Sequence, residues 1–156
     1  MNFKYTTNWC IVTGAPSSGK TSVINELARR GHKTENEVAR ELIELGLSKG
    51  KSLEDIRREA ATLQRGILEV ALAREMALDP NDLVFMDRGL PDSIVYFKLA
   101  GLDGLEARAS SMLFRYRAVF IFDRLPLEKD AVRSEDDPLA EKIDRMLEEE
   151  YSSLGY

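Results

Sequence analysis

The sequence predicts an α/β fold in three layers, with a mainly parallel sheet covered by helices on both faces. Three observations carry that reading. Continuous apolar runs stand at 9–13, 83–86 and 118–122, as expected of strands buried on both sides. Segments with apolar residues at helical spacing separate them. The first run passes through a glycine-bearing bend straight into the first helical segment.

That bend is Gly14-Ala15-Pro16-Ser17-Ser18-Gly19-Lys20-Thr21, followed by Ser22. Its spacing, Gly-x-x-x-x-Gly-Lys-Thr, is the phosphate-binding loop pattern, and it lies between a strand and a helix as that pattern requires. The chemistry explains the residue types. A triphosphate is strongly solvated, so a site must replace water with backbone N–H donors, which glycines leave uncovered. The helix start adds unpaired donors and the positive pole of its dipole. Lys20 reaches the β- and γ-phosphates, and the Thr21 hydroxyl takes one place on Mg²⁺. Two glycines, a lysine and a hydroxyl at fixed spacing arise by chance in well under ~1% of chains this size.

The 156 residues are expected to form a single domain spanning 1–156. The composition, 44% hydrophobic and 31% charged, is that of a globular chain. No run approaches the ~18 apolar residues of a membrane span. A net charge of −5 without a Lys/Arg block argues against a broad nucleic-acid surface. The single cysteine, Cys10, excludes an intramolecular disulfide and suits a reducing, cytoplasmic setting. Cys10 falls in the first strand and reads as a small buried hydrophobe. His32, the single histidine, has no metal-binding company and reads as a solvated loop residue.

The elements follow in order. Residues 1–8 are a polar lead-in. Gly31 ends the first helix. A short strand near 33–36 precedes a helix from Val38, which Gly46 is expected to stop. Ser52-Leu53-Glu54-Asp55 reads as a capping box. From Leu53 to about Leu78 a single long helix is expected, burying Ile56, Ala60, Leu63, Ile67, Val70 and Ala71. Gly66 inside it suggests close packing. Asp79-Pro80-Asn81-Asp82 is a turn. The second apolar run ends at Asp87, and Pro91 suits the start of the next helix, which Gly101 stops. Another helix is expected from Asp103 to about Arg115, then the third buried strand. Residues 124–137, polar and rich in carboxylates, read as a mobile lid. A helix from Pro138 to about Ser152 carries Leu139, Ile143, Met146 and Leu147 on one side.

A carboxylate at the end of a strand faces the ligand crevice of an open sheet. Asp87 therefore reads as a Mg²⁺ ligand, direct or through water, or as a solvated acid. Arg88 reads as a guanidinium that stabilises charge on a transferred phosphoryl group, or as half of an ordinary salt bridge.

Five segments in series carry a resemblance. They are the loop, Asn36-Glu37-Val38-Ala39-Arg40, Phe85 to Asp92 with Tyr96, Asp130-x-x-Arg133-x-Glu135, and Tyr151-x-x-Leu154-Gly155-Tyr156. From Trp9 to the last residue the chain resembles the small AAA-labelled P-loop family of ATPases and kinases, relatives of the NadR-type ribosylnicotinamide kinase domain. More distantly it is similar to deoxynucleoside and thymidylate kinases. The resemblance implies the P-loop NTPase fold and further roles. Glu37 matches a base that accepts the acceptor-hydroxyl proton; as a bare sequence feature it is equally a helix-start acid. Arg133 matches a lid arginine over the phosphates, or a loop arginine paired with Glu135. Asp92 and Tyr96, one turn apart, line an acceptor pocket, or are a helix-start acid and a core ring. The family pattern runs on past Leu-Gly-Tyr, so the sheet is expected to lack its last edge strand beside 118–122, which favours self-association.

The expected function is ATP- and Mg²⁺-dependent phosphoryl transfer to a hydroxyl of a nucleoside-like small molecule. A partner-regulated ATPase and a regulatory nucleotide-binding module are the alternatives. No Asn-Lys-x-Asp guanine-recognition motif occurs, which lowers a GTPase reading.

Overall fold

The β-branched run Trp9–Thr13 (β2) forms the sheet centre and is buried at every position. In this computed structural model, which describes residues 2–125 and 138–156, β2 pairs in parallel with Val84–Asp87 (β4) and Ala118–Ile121 (β6). Lys33–Glu35 (β3) adds to the far side of β4, giving the order β3-β4-β2-β6. Parallel neighbours need crossovers, and helices supply them. They are Lys20–Arg29 (α1), Val38–Ser48 (α2), Leu53–Arg58 (α3), Ala60–Ala77 (α4), Leu90–Leu99 (α5), Leu105–Ser111 (α6) and Pro138–Ser153 (α7).

Side chains alternate along a strand, so each face has its own packing. Trp9, Ile11, Val84 and Met86 join one core with Leu68 of α4, Ile94 and Val95 of α5, and Leu147 and Tyr151 of α7. Cys10 and Val12, also buried, take the opposite parity, where α1 packs with its buried Ile24. The expected α/β architecture with helices on both faces is therefore present, and Cys10 is the buried small residue the sequence suggested.

Several elements depart from expectation for identifiable reasons. The lead-in supplies a strand: Tyr5–Thr6 (β1) pairs in parallel with Phe114–Arg115 (β5). Phe114 is buried there, 5.0 Å from the Trp9 ring and 5.7 Å from Tyr5. That pairing cuts short the helix expected to reach Arg115; α6 ends at Ser111, where Ser110 and Ser111 hydroxyls donate back to the Glu106 and Ala107 carbonyls. Gly46 does not stop α2. It lies inside the helix, where a Cβ would stand 3.0 Å from Ile56 Cδ1, and Gly50, at φ +88, follows the helix end. The single helix expected over 53–78 bends at Glu59, which has φ −95 and ψ 38. The bend lets α3 lay Ile56 on α2 while α4 runs on to α5. The capping box at Ser52 forms as expected, with Asp55 N–H donating to the Ser52 hydroxyl at 3.0 Å.

Gly66 makes only an ordinary contact, its added Cβ being 3.8 Å from Leu42. The stripe Leu63, Ile67 and Ala71 is half-buried rather than core, and Leu139 is exposed instead of joining the α7 stripe. The strand β6 is not buried either: Phe120 is 49% exposed, because β6 is the outermost described strand on its side.

Candidate functional site

The register of the sheet builds the site. Val12 of β2 pairs with Asp87 of β4, so the loop that leaves β2 and the Asp87-Arg88 turn that leaves β4 emerge side by side at the carboxyl ends of the strands. The loop is shaped by its glycines. Gly14 has φ +149, and a Cβ there would stand 2.7 Å from the Phe122 carbonyl oxygen. Gly19 has φ +82 at the start of α1. Ser17 takes φ +68, a conformation that costs a non-glycine residue of order 1–3 kcal/mol and persists only where the surroundings enforce it.

A cavity of about 610 Å³ opens over this loop, lined by Pro16 to Ser22 together with Glu37, Arg40 and Arg88. Lys20 is buried, 6% exposed, with its ammonium 3.8 Å from Glu37. Burial and the nearby Arg88 lower its pKa, against the pull of Glu37, Asp87 and Asp92. The Thr21 hydroxyl donates to Asp87 Oδ2 at 3.0 Å. The other oxygen, Asp87 Oδ1, is buried with no hydrogen-bond partner among the described residues, as is the Ser18 hydroxyl. Burial and Glu37 raise the Asp87 pKa, opposed by Lys20, Thr21 and Arg88. An orphaned carboxylate oxygen next to a hydroxyl is an oxygen donor set of the kind a hard cation takes, so Thr21 and Asp87 fit Mg²⁺.

A second cavity, about 280 Å³, adjoins the first and shares Pro16, Glu37, Ala39, Ile43 and Arg88 with it. Its walls are apolar: Val38 and Ile43 of α2 and Leu63, Ile67 and Ala71 of α4. The half-buried face of α4 is thus a cavity wall. The polar residues in its lining are Glu37, Asp87, Arg88, Asp92, Ser93 and Tyr96, with Gln64 of α4; Glu37 and Arg88 also line the first cavity.

Arg88 sits at the junction. Its backbone is left-handed, φ +73, and its N–H donates to the Val12 carbonyl at 3.0 Å. Its Nε donates to Glu37 Oε1 at 3.1 Å and its Nη1 to Asp92 Oδ2 at 2.8 Å. The guanidinium lies 5.1 Å from the Tyr96 ring centroid. Burial pulls the Arg88 pKa down, but Asp92, Tyr96 and Glu37 outweigh it and the net shift is upward. Tyr96 is raised, by burial first.

Asp92 is 3% exposed and its carboxylate is fully committed. It accepts from Thr13 Oγ1 at 2.5 Å, Tyr151 Oη at 2.6 Å and the Gly89 N–H at 3.3 Å besides Arg88. It borders the second cavity yet serves to hold Arg88. Glu37 is the N-cap of α2 but makes no side-chain cap bond; its carboxylate turns to the two cations instead.

The structure therefore gathers Pro16–Ser22, Glu37, Asp87, Arg88, Asp92 and Tyr96. Gly14 and Ala15 stand beneath the loop rather than on the cavity surface, Gly14 against Phe122 and Ala15 with its N–H on Asp144 Oδ1 at 3.0 Å. Arg133 and residues 126–137 of the expected lid lie outside the described residues. Thr13, Asp144 and Tyr151 were not identifiable as supporting residues, because each works through a contact 59 to 129 positions away in sequence.

The domain family described as "AAA domain" matches residues 9–156. The chain belongs to that family. Its fold is also that of a solved structure described as NadR protein in complex with NR, at a TM-score of 0.71 and 18% identity, covering 96% of this chain. The chain spans 43% of the NadR chain. No curated protein matches it. The loop, the sheet order and the family together make this a P-loop kinase or ATPase, from a family that generally uses ATP and Mg²⁺. Among the described residues no helix is long and apolar enough to cross a membrane.

Proposed function

We propose that this protein is a small-molecule kinase that transfers the γ-phosphoryl group of ATP to a hydroxyl of a nucleoside-like acceptor. The observation that supports this reading is the pair of adjoining cavities with Glu37 and Arg88 in their shared wall. An NTP hydrolase needs room for water beside the phosphates; a second, apolar-walled space of about 280 Å³ suits an organic acceptor with a hydroxyl at its polar end.

The roles follow from placement. The 16–22 backbone and Lys20 bind the phosphates, and Thr21 with Asp87 holds Mg²⁺, which neutralises phosphate charge when bound. Glu37 accepts the acceptor-hydroxyl proton as that oxygen bonds to the γ-phosphorus. The bond to the β,γ-bridging oxygen breaks and ADP leaves. Arg88, fixed before substrate arrives, stabilises the charge that grows on the transferred group. The apolar walls on α2 and α4 exclude water and bind the body of the acceptor. The similar solved structure is a complex with NR, in keeping with this acceptor class. The lone buried Cys10 accords with a cytoplasmic setting.

The test is ADP formation from MgATP, alone and with a panel of nucleosides and related polyols. Slow basal turnover that rises with one class of acceptor, with phosphorylated acceptor recovered, supports the kinase. Turnover indifferent to every acceptor but raised by a protein partner points to the regulated ATPase instead.

A further inference from the structure

The first amide of the nucleotide loop is held by the last helix. Ala15 is fully buried, and its N–H donates to the Asp144 carboxylate on α7. Seven residues along α7, nearly two turns and therefore on the same face, buried Tyr151 donates to Asp92. Asp92 in turn holds the Thr13 hydroxyl and Arg88. One face of α7 thus grips both halves of the site, the loop at Ala15 and the arginine-bearing turn through Asp92.

The chemistry at Asp144 is unexpected for a site that takes phosphates. A carboxylate beside the loop repels an anionic ligand, and any neutral acceptor would avoid that cost. What a carboxylate adds is bond strength: a backbone N–H to an ionised acceptor is roughly twice as strong as to a neutral one. The loop needs such a hold, because Ser17 sits at φ +68, a conformation that a non-glycine residue keeps only where the surroundings enforce it.

We propose that Asp144 is a positioning residue: its carboxylate locks the opening peptide of the loop, so that the phosphate-binding amides are aligned before nucleotide arrives. This rests on the loop being a nucleotide site. Preorganisation of this kind raises affinity by removing an ordering cost from binding.

The test compares wild type, Asp144→Ala and Asp144→Asn in the full chain, reading amide hydrogen exchange at Ala15 and calorimetric MgADP affinity. In Asp144→Ala, Ala15 exchange is expected to accelerate about tenfold relative to amides of β4, and MgADP affinity to fall by about tenfold. Asp144→Asn keeps the shape and an accepting oxygen but loses the charge, so both readings are expected to fall between those of wild type and Asp144→Ala. Unchanged Ala15 exchange in folded Asp144→Ala overturns the proposal. So does faster exchange with unchanged MgADP affinity, which would leave Asp144 a structural contact only. Should Asp144→Ala fail to fold, Asp144→Asn decides: a measurable rise in Ala15 exchange with weaker MgADP binding supports the role, and wild-type values for either overturn it. Wild type that binds no MgADP defeats the nucleotide-site reading instead, while Ala15 exchange still reports whether Asp144 holds the loop.

Discussion

Arg88 Nη1 donates to Asp92 Oδ2 at 2.8 Å, one helical turn along the chain, and this bond holds a residue whose backbone is strained at φ +73. Both side chains are largely buried, at 12% and 4% exposed. Removing Asp92 leaves the buried Arg88 charge with Glu37 as its one ion-pair partner among the described residues, and it also strips acceptors from Thr13 and Tyr151. Asp92→Ala is therefore expected to destabilise the fold by about 3–5 kcal/mol. Urea unfolding at neutral pH measures it; a midpoint within error of wild type would show that Arg88 is held by something else.

Gly89 lies in the same turn for want of room. A Cβ there would stand 3.0 Å from Tyr151 Oη, 3.1 Å from Tyr116 Cε2 and 3.2 Å from Ile11 Cδ1. Its φ of −115 suits any residue, so the objection is steric and not conformational. Gly89→Ala should cost about 1–3 kcal/mol by overpacking, and thermal melts of the two proteins give the comparison.

Glu75 of α4 is 2% exposed and lies 2.9 and 3.0 Å from the Tyr116 hydroxyl, which also accepts from the Leu90 N–H. Burial pushes its pKa up from 4.5 to about 8, despite hydrogen bonds from Tyr116 and Leu90. Between those values the folded state carries a proton that the unfolded state has lost, so stability falls as pH rises and levels off above about 8. The gap sets a ceiling of ~5 kcal/mol. Glu75→Gln should flatten this dependence in urea titrations at pH 5 and pH 8. Parallel curves for the two proteins would place the charge elsewhere.

Asp87 and Thr21 carry the metal assignment. Asp87→Asn should lower Mg²⁺ affinity in the nucleotide complex by about 10- to 100-fold. Because burial raises the Asp87 pKa, acid should weaken Mg²⁺ binding at a higher pH than an ordinary carboxylate would. Calorimetry of ADP with Mg²⁺ or with chelator reads both effects, and a variant whose nucleotide affinity still responds to Mg²⁺ as wild type does would remove Asp87 from the metal site.

Much of the site was legible because it is local. Strand, loop and helix occupy one stretch from Trp9 to Arg29, and Asp87 closes a strand with Arg88 directly after it. The rest depends on chain segments meeting. That Leu63, Ile67 and Ala71 wall a cavity rather than fill a core needs the bend at Glu59, which helical periodicity cannot show. The two-residue strands β1 and β5 are too short for any alternating pattern to register. Phe120 reads as buried from its apolar neighbours alone; its exposure follows from strand order, which those residues do not encode. Asp92 reads as a helix-start acid until Thr13 and Tyr151 are brought to its oxygens.

The most direct measurement is the calorimetric affinity of a non-hydrolysable MgATP analogue for wild type and Lys20→Ala. Lys20 is buried at the loop and lines the larger cavity, with its ammonium 3.8 Å from Glu37. Wild type should bind, and Lys20→Ala, shown folded by circular dichroism, should bind about 10- to 100-fold more weakly. Equal affinity in the folded variant would contradict the assignment of this loop as the nucleotide site.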